Sequence, residues 1–431
     1  MGEPPIKMLR YQQQFAFFDA AQVGRTVHFV NLTQEATERG LEEVLERIVE
    51  EVERRQAGIV VVDSFRTLVQ GVERGSNQMS LASFVQRLAL RLTTWQATTF
   101  LIGEYDEVEL EKIPVASVAD AIFSLTQHVV RNSMVRQLRV VKIRGRDPQP
   151  GLHTVRITDA GIQVFPRMLK PVDTEIKTGS KELISTGVAG LDDMLGGGTL
   201  RGNSLLVAGP AGTGKTTLAT QFIAEGVRRG EPGVIAVFEE TPTKYAEQAN
   251  GFGFDMVKAV REGKVDLVFL RPLDLSLDET LYALQQAVDR VKARRVVIDS
   301  ITSLEIALAP TFKDDFRESL YRLLGALTGA GITVLMTVEI TESYTELRFS
   351  PHAVSFMTHD IVLQRYVELD GELKTIMAVV KSRGRPHKPD LRPYTITQAG
   401  VVVGEVLRGY EGVITAVPRA INPRRPGGKK R

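Results

Sequence analysis

The chain has 431 residues, 43% of them hydrophobic and 25% charged, with a formal net charge of +2; this is the composition of an ordinary globular protein large enough for two or three domains. It has no cysteine, and its six histidines (28, 128, 153, 352, 359 and 387) never fall at HxxxH spacing, which excludes disulfides, thiolate zinc and a cysteine nucleophile and argues against a histidine-built catalytic metal site. No apolar run approaches the roughly 20 residues that span a bilayer, and Met1 to Arg10 lacks a signal-peptide core, so the expectation is a soluble cytoplasmic protein without membrane contact.

Periodicity predicts the first helix from Leu41, Val44, Leu45, Ile48, Val49 and Val52, which share one helical face. The apolar strand Ile59-Val60-Val61-Val62 follows and ends at Asp63-Ser64. Later come Val140-Val141-Lys142-Ile143-Arg144-Gly145-Arg146 and Ile157-Thr158-Asp159-Ala160-Gly161-Ile162, and then a Pro-containing stretch of mixed charge that reads as a linker over 166–182. Beyond it the same features return in the same order, at an offset of about 236 to 239 residues. Leu277, Leu281, Leu284, Val288 and Val291 form a helical face, Val296-Val297-Ile298 a strand ending at Asp299-Ser300, and Val379-Val380-Lys381-Ser382-Arg383-Gly384-Arg385 the later basic run. Helix followed by buried strand, repeated, predicts mainly parallel α/β sheets in two copies of one domain. The expected organisation is 1–165, linker 166–182, 183–415, and a basic tail 416–431.

The copies are unequal. The second begins near Leu183, whereas Met1 aligns with about Phe238, so the first is short by roughly 55 residues. In the second copy that stretch holds the strand Ser204 to Ala208, a Gly-rich loop and the helix behind it. Such a strand is interior in a parallel sheet, and without it apolar edges are expected to be left unpaired. Two readings stand: the sequence is part of a longer product, or the first domain is degenerate and a partner fills the gap.

Gly209-Pro210-Ala211-Gly212-Thr213-Gly214-Lys215-Thr216 satisfies GxxxxGK[ST], follows an apolar strand and precedes the predicted helix Leu218 to Arg229. Its glycines let successive N–H groups turn toward phosphate oxygens at a helix N-terminus. Lys215 is the residue to reach the β- and γ-phosphates of ATP, Thr216 to ligate Mg2+, and Thr217 to complete the nucleotide contacts. Asp299, at the end of strand Arg295 to Ile298, is either the second Mg2+ group or a strand-end cap, a role Ser300 also suits. Glu239 and Glu240 follow the strand Val234 to Phe238. They are either the carboxylates that orient the attacking water or solvated acids before the Thr241-Pro242 turn. Lys381, Arg383, Arg385 and His387 follow the predicted strand Thr375 to Val380, as a solvated loop or as a group that meets a neighbouring subunit's phosphates.

These segments together resemble the KaiC-like branch of the RecA superfamily of P-loop ATPases. The resemblance rests on Thr186-Gly187-Val188-Ala189-Gly190-Leu191-Asp192-Asp193-Met194-Leu195-Gly196-Gly197-Gly198, the P-loop, Phe238-Glu239-Glu240-Thr241-Pro242, Arg295 to Ser300, Met336-Thr337-Val338-Glu339 and Lys381 to His387. It implies tandem RecA-like domains, catalytic roles for Glu239 and Glu240, and Lys381, Arg383 and His387 reaching ATP on the adjacent subunit. It also implies a homo-oligomer, typically a hexamer, and coupling to a signalling partner. Three departures limit it: the first copy shows no P-loop, Ser355 is followed by Phe356 where the autokinase members carry paired hydroxyls, and the tail differs from the clock protein's. ATP hydrolysis is the leading expectation. A Ser/Thr autokinase acting on Ser350, Ser355 or Thr358 and a DNA-binding recombination factor are the alternatives. Nucleic acid is disfavoured, because neither Trp95 nor the tyrosines cluster with basic residues. The run Arg131, Ser133, Arg136 and Arg139 reads as an exposed strand or turn, and the tail Arg419 to Arg431 as solvated.

Overall fold

The computed structural model describes residues 5–66, 81–94, 96–106, 108–109, 115–130, 133–167, 181–270, 275–340, 356–413 and 419–420. Most of the expected linker and tail, with Trp95, Arg131, Ser350 and Ser355, lie outside the described residues. The chain divides into two compact units, Met1–Thr126 with Arg136–Val164, and Gln127–Val135 with Phe165–Arg431.

In the first unit the periodic stretch forms α1 (Leu41–Arg55), with Leu41, Val44, Leu45, Ile48 and Val52 buried. Together with α2 (Leu81–Thr94) it covers one face of two parallel strands, β1 (Ile59–Asp63) and β2 (Thr98–Ile102). Side chains alternate along a strand, so Val62 enters this core while Val61 and its register partner Phe100 face the other way, 56% and 50% exposed. A separate four-stranded sheet comprises β3 (Ala121–Val130), β4 (Ser133–Ile143), β5 (His153–Thr158) and β6 (Gly161–Phe165). Arg136 and Arg139 thus lie on a strand as expected, but Ser133 is buried rather than exposed.

The main sheet of the second unit comprises β7 (Ser204–Gly209), β8 (Gly233–Val237), β9 (Val265–Phe269), β10 (Arg295–Asp299), β11 (Thr333–Glu339), β12 (Asp360–Leu369), β13 (Glu372–Ser382), β14 (Leu391–Thr397) and β15 (Gly400–Val403). They form one sheet in the order β9-β8-β10-β11-β7-β12-β13-β14-β15, parallel from β9 to β12 and antiparallel thereafter. The boundaries differ slightly from expectation: β13 runs on through Lys381, and the helix after the P-loop, α3 (Lys215–Arg228), begins at the loop's lysine. Helix α5 (Leu277–Val291) is the repeat of α1. Lys292 closes it and Gln56 closes α1 in the same left-handed conformation.

β7 sits between β11 and β12, and α3 lies over the face that carries Val297 and Leu335. Val297 is the counterpart of Val61, and Leu335, its register partner, that of Phe100. The residues that are bare in the first unit are therefore buried in the second, against Leu218, Ala219, Phe222 and Ile223 of α3. Among the described residues of the first unit no strand joins β2 to β3, which lie in different sheets. A buried ion pair pins the second unit's base. Arg295 is 1% exposed, and its Nε and Nη2 donate to Glu231 Oε2 at 2.8 and 2.6 Å while Nη1 donates to the carbonyls of Ser185 and Phe222 at 2.9 and 2.8 Å. Arg201 Nη2 takes the other oxygen of Glu231 at 2.6 Å.

Candidate functional site

The carboxyl ends of β7, β8, β10 and β11 bring the sequence-predicted groups of the second copy to one edge of the sheet. The loop Gly209–Gly214 leaves β7 and turns into α3, with Gly212 and Gly214 at φ +79° and +85°, a backbone region that costs glycine little and other residues more. Thr213 is fully buried, and its hydroxyl donates to the Pro210 carbonyl at 2.9 Å. Lys215 Nζ donates to the carbonyls of Gly209 and Pro210 at 2.9 and 2.6 Å, so the ammonium lies over the loop. Burial holds its pKa below the ordinary lysine value, against the opposing charges of Glu339, Asp299 and Glu239.

Asp299 ends β10 beside this lysine. The alternative role as a helix cap falls to Ser300, whose Oγ accepts from Ser303 N at 3.1 Å at the start of α6 (Ile301–Ala307). Asp299 instead accepts hydrogen bonds from the hydroxyls of Thr337 and Thr216. Burial raises its pKa, the two hydroxyls and Lys215 oppose that rise, and Glu239 adds to it. Thr216 and Asp299 thus present hydroxyl and carboxylate oxygens at one point, a donor set suited to a hard cation that keeps waters and a phosphate oxygen. Among the described residues no three acidic or histidine side chains converge on a metal by themselves.

The two glutamates differ. Glu239 accepts from Ser303 Oγ and lies within the charge field of both Lys215 and Asp299. Glu240 accepts from Gln248 Nε2 at 3.1 Å and pairs with Lys244 at 3.2 Å on α4 (Pro242–Asn250). That helix is capped by Thr241 with Pro242 in its first turn, so the predicted turn is a helix start, along which Glu240 is paired. A cleft of about 330 Å³ opens between α3 and α4, lined by Thr216, Thr217, Thr220, Tyr245, Gln248, Ala249 and Phe252.

Lys381, Arg383 and His387 are not brought to this edge. Lys381 pairs with Ile361 and Ile361 with Leu206; Arg383 N bonds His359 O, and His359 N bonds Ser204 O. Arg383 therefore lies level with the amino end of β7, roughly 17 Å along the strand from Gly209, and Lys381 is level with Leu206, roughly 10 Å from it. The cations are not simply solvated: Lys381 Nζ donates to the Thr358 carbonyl at 2.7 Å and Arg383 Nη2 to the Phe356 carbonyl at 3.0 Å. The first copy repeats this arrangement, Lys142 Nζ to Ala116 O at 2.9 Å and Arg144 Nη2 to Ser117 O at 2.8 Å. Of the hydroxyls considered as phosphate acceptors, Thr358 is fully buried.

Residues without an assigned role in the sequence also enter the site. Thr337 holds Asp299, Ser303 holds Glu239, and Glu339 bears on Lys215. A threonine between Met336 and Val338, interrupting the apolar run of the strand, is the signal that marks Thr337 beforehand. Ser303 sits in an ordinary helix and carries none.

A family model described as "ATPase: KaiC" matches residues 5–168 and again 184–408. The chain is 28% identical over 382 residues to the circadian clock oscillator protein KaiC of Picosynechococcus sp., covering 88% of this chain and 73% of that protein. It is 27% identical over 383 residues to the protein of the same name in Parathermosynechococcus lividus, covering 89% and 70%. Against the circadian clock protein KaiC3 of Synechocystis sp. the identity is 29% over 380 residues, covering 87% and 73%. With the match running through both copies and a complete phosphate loop in the second, the chain belongs to the KaiC family of ATPases and carries its α/β domain twice.

Proposed function

We propose that the second copy is a Mg2+-dependent ATP hydrolase whose pocket is completed by a neighbouring copy of the chain in a homo-oligomeric ring, a hexamer by family resemblance, and that its nucleotide state governs binding of a signalling partner. One observation supports the shared-site reading: the loop, Thr216, Asp299 and Glu239 stand at one end of β7, while Arg383 is level with the other and Lys381 is set back from the loop. A head-to-tail ring sets one end against the other between protomers.

In this reading the loop amides and Lys215 grip the phosphates, and Thr216 with Asp299 would hold Mg2+, which neutralises developing phosphate charge when bound. Thr337 keeps the Asp299 carboxylate turned to that point. Glu239 and Glu240 orient the attacking water and take its proton, Ser303 fixing the first and Gln248 with Lys244 the second. Lys381 and Arg383 of the neighbour supply positive charge as the terminal phosphate leaves, and its His387 contacts the nucleotide.

The test is a pair of variants assayed for ATP binding and phosphate release. Lys215→Ala is expected to lose ATP binding, and Glu239→Gln with Glu240→Gln to bind ATP normally and release no phosphate. Wild-type turnover by the double variant would remove the glutamates from the chemistry.

A further inference from the structure

The antiparallel strands β12 to β15 press against the P-loop from the side away from α4, and they touch it at each of its glycines. A Cβ on Gly209 would stand 2.9 Å from the Gln364 carbonyl oxygen, one on Gly212 2.8 Å from Tyr366 Oη, and one on Gly214 2.6 Å from Ile396 Cδ1. The loop cannot withdraw into this wall.

Two hydroxyls in the wall do more than exclude space. Tyr394 Oη, on β14 and 2% exposed, donates to the Thr213 carbonyl at 2.6 Å. Tyr366 Oη, on β12, donates to the Ala211 carbonyl at 3.4 Å. A trans peptide unit is planar, with its C=O and N–H pointing in opposite directions. Drawing the carbonyls of Ala211 and Thr213 toward the wall therefore turns the N–H groups of Gly212 and Gly214 away from it, toward the concave side of the loop. Neither N–H donates to a protein acceptor among the described residues, and N–H groups so arrayed at a helix N-terminus make an anion cradle.

We propose that Tyr366 and Tyr394 are positioning residues of the phosphate site, which set the Gly212 and Gly214 amides toward the phosphates of ATP by holding the preceding carbonyls from behind. Burial, with Tyr366 beside it, raises the pKa of Tyr394, so the phenol stays protonated and keeps donating. The proposal rests on the reading of the second copy's loop as the ATP site.

Phenylalanine at either position keeps the ring and removes only the hydroxyl. The test measures the Kd for ATP by calorimetry and the melting temperature without nucleotide, on the full chain, for wild type, Tyr394→Phe, Tyr366→Phe and Lys215→Ala. Tyr394→Phe is expected to weaken ATP binding roughly ten-fold and Tyr366→Phe, with the longer and more exposed bond, roughly three-fold. A merely structural role would lower the melting temperature and leave Kd unmoved. Kd within two-fold of wild type for Tyr394→Phe overturns the proposal. If that variant does not fold, Tyr366→Phe decides, and an unchanged Kd there overturns it equally. A wild-type chain that binds no ATP, like Lys215→Ala, would sink the ATP-site reading instead.

Discussion

Subunits carrying Lys215→Ala and Arg383→Ala should each be inactive alone and active together. Lys215→Ala loses the phosphate grip in its own pocket. Arg383→Ala keeps that grip but deprives its neighbour of the charge that completes the pocket, a loss of about 10³-fold by analogy with arginine fingers. In the same chain the two groups cannot meet. Arg383 is level with Ser204 at the start of β7, the P-loop follows Gly209 at its end, and the guanidinium is turned to the Phe356 carbonyl. In a randomly mixed ring at equal stoichiometry, a pocket is intact when an Arg383→Ala subunit, with a sound P-loop, abuts a Lys215→Ala subunit, with a sound arginine. That holds at about one quarter of interfaces. Phosphate release by the mixture should therefore reach about a quarter of the wild-type rate, and should fall on dilution below the concentration at which rings persist. A mixture no faster than its separate components, or an Arg383→Ala protein with wild-type turnover, would refute the shared-site reasoning.

The buried Glu231 gives a stability prediction. Burial raises its pKa, but Arg201 and Arg295 outweigh that and leave it below the ordinary glutamate value. Its contribution is thus present above the ordinary glutamate range and is lost as pH falls through the lowered folded value; acid unfolding followed by far-UV circular dichroism should show that loss missing in Glu231→Gln. Glu231→Ala, which leaves Arg295 uncompensated, should cost about 3–5 kcal/mol at neutral pH in denaturant titrations; a loss below about 1 kcal/mol would contradict the buried pair. The repeat supplies a matched comparison. Val297→Ala, under α3, should destabilise the second unit by about 1–3 kcal/mol, whereas Val61→Ala, on the bare face, should fall within about 0.5 kcal/mol of wild type. Equal losses at both positions would mean that the first unit's face is covered.

Much of this protein was legible in one dimension. The P-loop is a local device: its glycines, its lysine and the strand and helix that flank it are contiguous, so Gly209 to Thr216 declare the site without reference to the rest of the chain. The duplication is legible for a similar reason, since each copy writes the same alternation of helical face, strand and basic run. What stayed closed was whatever depends on strands distant in sequence being neighbours in the sheet. Asp299 reads from sequence as a metal group ahead of a cap, but that Ser300 takes the cap and that Thr337, on the adjacent strand, donates to Asp299 is seen only in the fold. Glu239 and Glu240 look equivalent until α6 and α4 hold them differently. Tyr366 and Tyr394 carry no mark at all in sequence, because an alternating strand needs only a large side chain there; that their hydroxyls meet the loop follows from folding β12 to β14 back along β7. Composition and spacing determine which local structures form. The order of strands in the sheet decides which side chains share a charge, a proton or a phosphate.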